Sequence, residues 1–537
     1  MIKKDSFRNI SICLAFLIVG GILSTFLKTE FLFDFLQYHY YNGFAFVNNR
    51  HNIDLGVAAL PTYYNPLLDA AAYLLIRFCG ENLSLYYFIT GLPFGLLMFI
   101  FFKICLLFFD PASIKGKIQI TFAVLIAATG FHVFSQIGSI SHDISSNVFI
   151  LAAFYLLLRK DKSFLAAGFL LGTGAALKLS GVIYCVSFGI SLILMYKKLP
   201  DPLKNLSRFI LGGFLGFMAF NGFWMYFLWE QYQNPFFPFW NKIFKSPYYL
   251  PINYIDKIAT EYMIAVDFIL YPFYLVLHSS ESNIIVNADV TDARLALLFI
   301  IGFGAVFFFF KKKEPFSPVM KEAGVFMAVS YIVCLFLSAL SRFLIPVEMF
   351  AAIVIVSCFS RIKYPQKTIT EGLYWSAAIL LCFLLFSTPY YSDSFGRRTE
   401  TEFLKEKITL PEKTLIYGFG VFAPAFIARL METNPTAAGI GFRLAEKGNW
   451  FQINMPAYGK MTEITQKMRE DYQNQVAFVT EAPIATLLPP QGEKAVILKG
   501  WLCEPLSIAE SYNRNFRESL KLCFPPEMKE KIVIERK

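Results

Sequence analysis

The chain has 537 residues, 56% of them hydrophobic and only 16% charged, with a formal net charge of +10 and a mean hydropathy of +0.50. Soluble domains carry roughly 25% charged and about 45–50% apolar residues, so a soluble enzyme, a disordered chain and a disulfide scaffold are excluded. The 60 Phe and 28 Tyr suit a bilayer and its interfaces, and the fold class is an α-helical polytopic membrane protein.

About 20 apolar residues cross a bilayer as a helix, fewer where the helix is short or broken. Eleven such spans follow in order: 10–28, 83–108, 118–138, 144–158, 163–177, 181–196, 206–228, 293–310, 322–340, 344–360 and 371–388. A further apolar stretch, 262–278, holds Asp267 and ends at His278, and reads as interfacial or re-entrant. The first span follows Lys3, Lys4 and Arg8 without a small-x-small cleavage site, as a retained anchor does. Basic residues cluster in alternate loops, at Lys115/Lys117, Arg159/Lys160/Lys162, Lys197/Lys198/Lys204/Arg208, Lys311/Lys312/Lys313/Lys321 and Arg361/Lys363/Lys367. These are topology signals rather than a nucleic-acid stripe, and the positive-inside rule puts them and the N-terminus in the cytoplasm. Segments 29–82 and 229–292 and the tail from 389 then lie outside, which fits a bacterial inner (cytoplasmic) membrane protein.

The chain therefore divides into a transmembrane domain, 1–388, and an extracytoplasmic soluble α/β domain, 389–537. In the tail, short apolar runs (Leu415–Gly420, Val476–Glu481, Ala495–Leu498) alternate with helical patterns at Phe422–Glu432 and Met461–Gln473. Seven of the nine Cys lie in or beside membrane helices, where a buried thiol is usually inert packing. The other two, Cys503 and Cys523, are able to pair in an oxidising compartment or to remain free.

Ionisable groups near apolar segments are costly, on the order of 2.5–3.5 kcal/mol each at the bilayer centre. Here they gather on one side: His39, His51, His132, His142 and His278 all fall on the outer side or at the outer end of a span. The first outer loop is the richest. Asp34 opens a segment in which Leu36, Tyr40, Phe44 and Val47 recur at helical spacing, with Asp34, Tyr38, Tyr41 and Ala45 opposite. That pattern predicts an amphipathic helix lying on the membrane with a carboxylate at its start; a plain capping role is the alternative for Asp34. A second amphipathic segment, Leu67–Phe78, follows Asn65, with Asn65 and Asp69 one turn apart.

Farther along, Ser141-His142-Asp143 occupies a short outer connection, where Asp143 is a candidate acid or simply a helix cap. Gly168 and Gly172 are small residues that let helices approach closely. Lys178, with Ser180 beside it, lies between two short apolar helices at membrane depth. A lysine beside a helix N-terminus makes an anion site suited to a phosphate, and a snorkelling lysine is the simpler alternative. Asn234–Tyr248 is an aromatic interfacial segment with Lys242 and Lys245, and Arg342 sits at an outer helix end where it can pair with a carboxylate or a phosphate. No Cys/His spacing suits zinc, and there is no EF-hand or P-loop pattern.

These residues resemble the GT-C superfamily, polytopic glycosyltransferases that take sugars from polyprenyl-phosphate carriers, and among them uncharacterised bacterial GT-C-like proteins. The features that carry the resemblance are Asp34 just after the first span, the two amphipathic segments, Asn65-Pro66-Leu67-Leu68 between them, Asp143, the Lys178 turn and a C-terminal outer domain. It covers the membrane part, about 390 residues, and departs where many relatives carry an Asp-Glu pair (here Asp34-Phe35) or a Lys (here Asn65). It implies a transferase that moves a sugar from a polyprenyl-phosphate donor to a lipid or glycan acceptor on the outer face, inverting the anomeric centre. Asp34 would be the base and Asp143 a second acid. Lys178 and Arg342 would neutralise phosphate, with Tyr38, His39, Asn65, Asp69 and His142 binding substrate. No metal or other cofactor is expected, because Lys or Arg matches the donor's charge. The rival readings are a lipid-linked sugar flippase or transporter, whose charges would line a path across the membrane, and a ligase or polymerase of surface glycans.

Overall fold

The computed structural model describes residues 2–27, 34–80, 82–198, 201–253, 266–276, 292–302, 317–359, 407–420, 423–442, 459–481, 500–506 and 519–535. The span expected at 371–388, the later part of 293–310, His278 and the run Ala495–Leu498 lie outside the described residues.

The helices begin with α1 (Ile2–Leu27), α2 (Tyr40–Val47), α3 (Leu67–Cys79), α4 (Leu83–Phe108), α5 (Ile114–Ala128) and α6 (Phe131–Ser135). They continue with α7 (Asp143–Leu158), α8 (Phe164–Leu177), α9 (Val182–Leu194), α10 (Pro202–Tyr232), α11 (Asn241–Phe244) and α12 (Asp267–Tyr274). The last are α13 (Pro318–Leu337), α14 (Ile345–Phe359), α15 (Ala423–Thr433) and α16 (Lys460–Asp471). Among the described residues, five helical stretches are long and apolar enough to cross a membrane: Phe7–Leu27, Leu83–Phe108, Pro202–Tyr232, Pro318–Leu337 and Ser341–Cys358. Asp143–Leu158, Phe164–Leu177 and Leu179–Leu194 are shorter apolar helices. The protein is thus a helical membrane protein with a C-terminal sheet, and it forms two compact units.

The first unit comprises Met1–Thr29, Tyr87–Asn221 and Asp256–Gly396. Its core is a continuous apolar cluster in which Phe154 and Phe188 meet Phe326 at ring separations of 5.8 and 4.8 Å. Gly168 and Gly172 have the close-packing role expected of them. A Cβ at either would strike the backbone of α10, at the Phe209 and Gly213 carbonyls, so α8 and α10 are in backbone contact.

The expected span 118–138 is interrupted: α5 ends at Ala128 and α6 starts at Phe131. Buried charges hold both exposed helix ends. Arg294, fully buried, donates to the Ile126 carbonyl (3.0 Å), to the Thr129 carbonyl (2.8 Å) and to Asp292 (2.5 Å). Asp292 in turn accepts the Phe131 N–H at 2.8 Å, and the buried Glu348 carboxyl lies beside Gly130 at the same end. The cation therefore sits at the carbonyl end of α5 and the carboxylates at the amide end of α6, as the helix dipoles favour. A Cβ at position 130 would meet the Glu348 carboxylate, which would have to move aside.

The second unit comprises Glu30–Tyr86, Gly222–Ile255 and Arg397–Lys537. The strands are β1 (Lys407–Thr409), β2 (Thr414–Phe419), β3 (Ala438–Phe442), β4 (Asn474–Glu481), β5 (Leu502–Leu506), β6 (Ser519–Phe524) and β7 (Val533–Glu535). A five-stranded sheet runs β3-β2-β4-β6-β5, with β2 parallel to β3 and β4, and β6 antiparallel to β4 and β5; β1 pairs with β7. Alternate β2 residues face opposite ways. Gly418 meets Ala423 and Ile427 of α15, whereas Leu415, Tyr417 and Phe419 share a core with Met461 and Met468 of α16. The two helices therefore cover opposite faces. Cys503 and Cys523 face each other across β5 and β6 and are joined in a disulfide.

The sheet does not end at β3. Leu55, from the first loop, pairs with its edge: Leu55 N–H donates to Gly439 O (2.8 Å) and Gly441 N–H to Leu55 O (3.2 Å). The division read from the sequence sets the tail apart at 389, whereas here the described tail shares a unit with the loop segments. Coverage by α3 and α15 also changes the first expected amphipathic helix: residues Phe35 to Ala45 are all buried, so neither face lies on a membrane. The second, α3, does keep two faces, with Asp69, Tyr73 and Ile76 buried and Leu74 and Phe78 exposed.

Candidate functional site

In the second unit, Asp34 heads a helix that opens with a π-helical turn, Phe35–His39, before it becomes α2. A turn closed by an i→i+5 hydrogen bond, here Tyr40 N–H to Phe35 O, brings residues five apart to one side. His39, together with Tyr38, therefore turns toward the side of Asp34. The Asp34 carboxylate does not cap the helix, so the plain capping role is not what keeps it buried there.

His39 Nδ1 lies 2.6 Å from Asp69 Oδ1, with both side chains buried. This direct hydrogen bond to a carboxylate fixes the orientation of the imidazole. The close approach is built in by Gly43, where any Cβ would strike the Asp69 backbone. Tyr38 lies against His39, its ring 4.0 Å away, and edge-on to Tyr64 at 5.9 Å. Asn65 turns inward to its own chain: its Oδ1 accepts the Leu67 N–H at 3.0 Å, fixing the entry to α3. Asp34, Tyr38, His39, Asn65 and Asp69 are thus held by two helices and the turn between them.

Two buried polar groups in this unit escaped the sequence reading. Glu432 of α15 accepts from Tyr40 (2.7 Å) and Tyr73 (2.9 Å) and pairs with Arg429 and with Arg77 (3.6 Å). Burial, with the Glu432 charge behind it, pushes the Tyr73 phenol up to about 12 and raises Tyr40 well above its usual value, so both remain neutral donors. Arg50 and Asp54 are the second group, joined at 2.8 and 3.1 Å. Arg50–Asp54 and Arg429–Glu432 are local pairs like many on a surface; the contacts that bury them, from Tyr40 and Tyr73 to Glu432 and from Arg50 to the Pro435 carbonyl, join residues hundreds of positions apart.

In the first unit, the extended residue Lys178 ends α8, and a short turn, Leu179–Gly181, leads into α9. Its Nζ lies 2.7 Å from Asp143 Oδ1 and 2.5 Å from the Ser141 carbonyl, which it donates to. Ser141 hydrogen-bonds Gln136, and Asn147 Nδ2 donates to the Asp143 carbonyl at 2.8 Å. His142, between them, takes a left-handed conformation (φ 63°), which a non-glycine residue adopts at a cost. The other Asp143 oxygen, Oδ2, is buried without a hydrogen-bond partner among the described residues. Arg342 lies on the short turn Ser341–Leu344 with its guanidinium 5.6 Å from the Phe343 ring. The Lys178–Asp143 pairing is not legible in the sequence, where Lys178 reads as a phosphate ligand or a snorkelling lysine and Asp143 as an acid or a helix cap.

Each group has a chemical use. A histidine oriented by a carboxylate, near a second carboxylate, can take a proton from a hydroxyl. A lysine in a low-dielectric setting can hold an oxyanion. No protein-family model matches the chain, and no curated protein matches it. Among solved structures the chain is similar to the crystal structure of ArnT from Cupriavidus metallidurans bound to undecaprenyl phosphate, at 10% identity and a TM-score of 0.45, over 97% of this chain and 98% of that one. At this identity the chemistry is left to the residues themselves.

Proposed function

We propose that the protein is an integral membrane glycosyltransferase of the GT-C kind, moving a sugar from a polyprenyl-phosphate donor to an acceptor hydroxyl on the extracytoplasmic face. The observation that carries this reading is the buried His39–Asp69 pair, 2.6 Å apart, on the same helical turn as Asp34. Membrane packing alone gives no reason to bury two carboxylates and an imidazole together. Asp34 is the base that deprotonates the acceptor, while Asp69 and His39 orient the acceptor and stabilise the charge that develops. Lys178 holds the carrier phosphate as a third member of its group with Asp143, and Arg342 adds charge at a helix end. Tyr38 and Asn65 bind substrate beside the Asp34 group, and His142 does so beside the Lys178–Asp143 group. Direct displacement inverts the anomeric centre.

The test is sugar transfer by purified protein from polyprenyl-phosphate donors to an added acceptor, with Asp34→Asn beside the native chain. Transfer falls by ~10²–10⁴-fold if Asp34 is the general base. Undiminished transfer in Asp34→Asn removes it from that role. Movement of lipid-linked sugar without a new glycosidic bond identifies a transporter instead. Reporter fusions at Lys313 and after Thr388 test the orientation: they report opposite sides if the tail is extracytoplasmic, and the outer-face reading fails if both report cytoplasm.

A further inference from the structure

The tail of the second unit contains a pocket of about 410 Å³ that the transferase reading leaves unused. It lies where β2 and β4 begin. Its walls come from separate elements: Tyr417 of β2, Arg469 in the last turn of α16, Asn474 and Gln475 of β4, Trp501 just before β5, and Lys531 after β6. The polar side chains are held in place. Tyr417 donates its hydroxyl to Gln475 Oε1 (3.1 Å), Gln475 Nε2 donates to the Arg469 carbonyl (3.4 Å), and Asn474 Nδ2 donates to the Glu412 carbonyl (3.0 Å). The Arg469 guanidinium lies 5.8 Å from the Tyr417 ring centre, and the half-buried Trp501 indole is tilted against that ring at 6.3 Å.

The lining limits the ligand. Pockets of this size that take lipid chains or apolar small molecules are lined mainly by hydrocarbon, and this one is lined mainly by amides and charges. A nucleotide phosphate calls for a helix N-terminus or a glycine loop, and neither is among the lining residues, α16 entering by its C-terminal turn. A peptide added as a strand needs an open sheet edge, and this pocket lies at strand ends. A saccharide satisfies every wall. Its C–H face packs on the flat indole, while vicinal hydroxyls bridge carboxamide and guanidinium groups of fixed orientation. Arg469 and Lys531 outnumber Glu527 among the lining charges, so an acidic sugar is tolerated.

We propose that this pocket is a saccharide-binding site, separate from the transfer centre, that takes one or two residues of a neutral or acidic glycan. The proposal does not depend on the chain being a transferase. Full-length protein in lipid nanodiscs is titrated with glucose, galactose, rhamnose, N-acetylglucosamine, glucuronic acid and their β-linked disaccharides, by calorimetry and by ligand-observed saturation-transfer NMR. At least one of these binds. Trp501→Ala weakens it about tenfold or more, roughly 1.4 kcal/mol, whereas Trp501→Phe, which keeps a flat ring and the packing, weakens it less. Lys531→Met weakens glucuronic acid more than the neutral sugars, and Asp34→Asn leaves all of them unchanged. Absence of binding across the panel overturns the proposal, as does binding equally tight in Trp501→Ala. Loss on Asp34→Asn with no loss on Trp501→Ala places the sugar in the transfer centre and also overturns it.

Discussion

Lys178 Nζ and Asp143 Oδ1 are 2.7 Å apart, the lysine ending one short apolar helix and the aspartate opening another. Their side chains are 13% and 2% exposed, so removing either partner strands a charge out of water. Lys178→Met is expected to destabilise the first unit by about 3–5 kcal/mol, while Lys178→Met with Asp143→Leu recovers most of that loss. Thermal unfolding in nanodiscs checks both. If phosphate also uses Lys178, the double variant regains stability but not carrier binding.

The pair Arg50–Asp54 ties the first loop to the tail. Arg50 donates to the Pro435 and Ala437 carbonyls, and Asp54 accepts the Gly439 N–H at 2.9 Å and the Tyr41 hydroxyl at 3.1 Å. Asp54→Ala leaves a buried guanidinium without its counter-charge and should lower stability by about 3–5 kcal/mol. Limited proteolysis should then cut between 430 and 442 in the variant at protease levels that spare the native chain.

His51 supplies a pH signature. Its ring packs edge-on to Trp224 (4.9 Å) and against Phe227 (5.9 Å), and burial pushes its pKa down to about 4 from the usual 6.5. The unfolded chain then binds the proton first as pH falls, so this stability is full above about 6.5 and is lost progressively toward pH 4. Unfolding temperatures measured from pH 7 to 4 should fall less steeply in His51→Phe than in the native protein.

The disulfide closes a loop with a sequence separation of 20 residues. Loop-closure entropy of that length corresponds to roughly 3 kcal/mol. Cys503→Ser with Cys523→Ser, or mild reduction, should lower the denaturant midpoint of the tail by the corresponding amount. An unchanged midpoint shows that residual structure already restrains the unfolded chain without the cross-link.

Local pattern decided the class of the protein. Apolar length set the helix at 83–108 to the residue, and alternation placed strands at Thr414–Phe419 and Asn474–Glu481 near the expected runs, because both signals are carried by neighbouring residues. The candidate site was legible as residue types: Asp34, His39, Asp69, Asp143 and Lys178 stand out in an apolar chain. Their partners were not. His39 and Asp69 are 30 residues apart, and Asp54 and Gly439 are 385 apart, so those contacts exist only once the chain has returned on itself. The same holds for the break at Gly130, where Asp292 and Arg294 come from a distant segment to satisfy a free amide and free carbonyls. Periodicity also misjudged α2, whose two-faced pattern predicted a membrane-surface helix. Burial depends on what covers a face, and α3 and the tail helix α15 supply that cover only once the chain has folded.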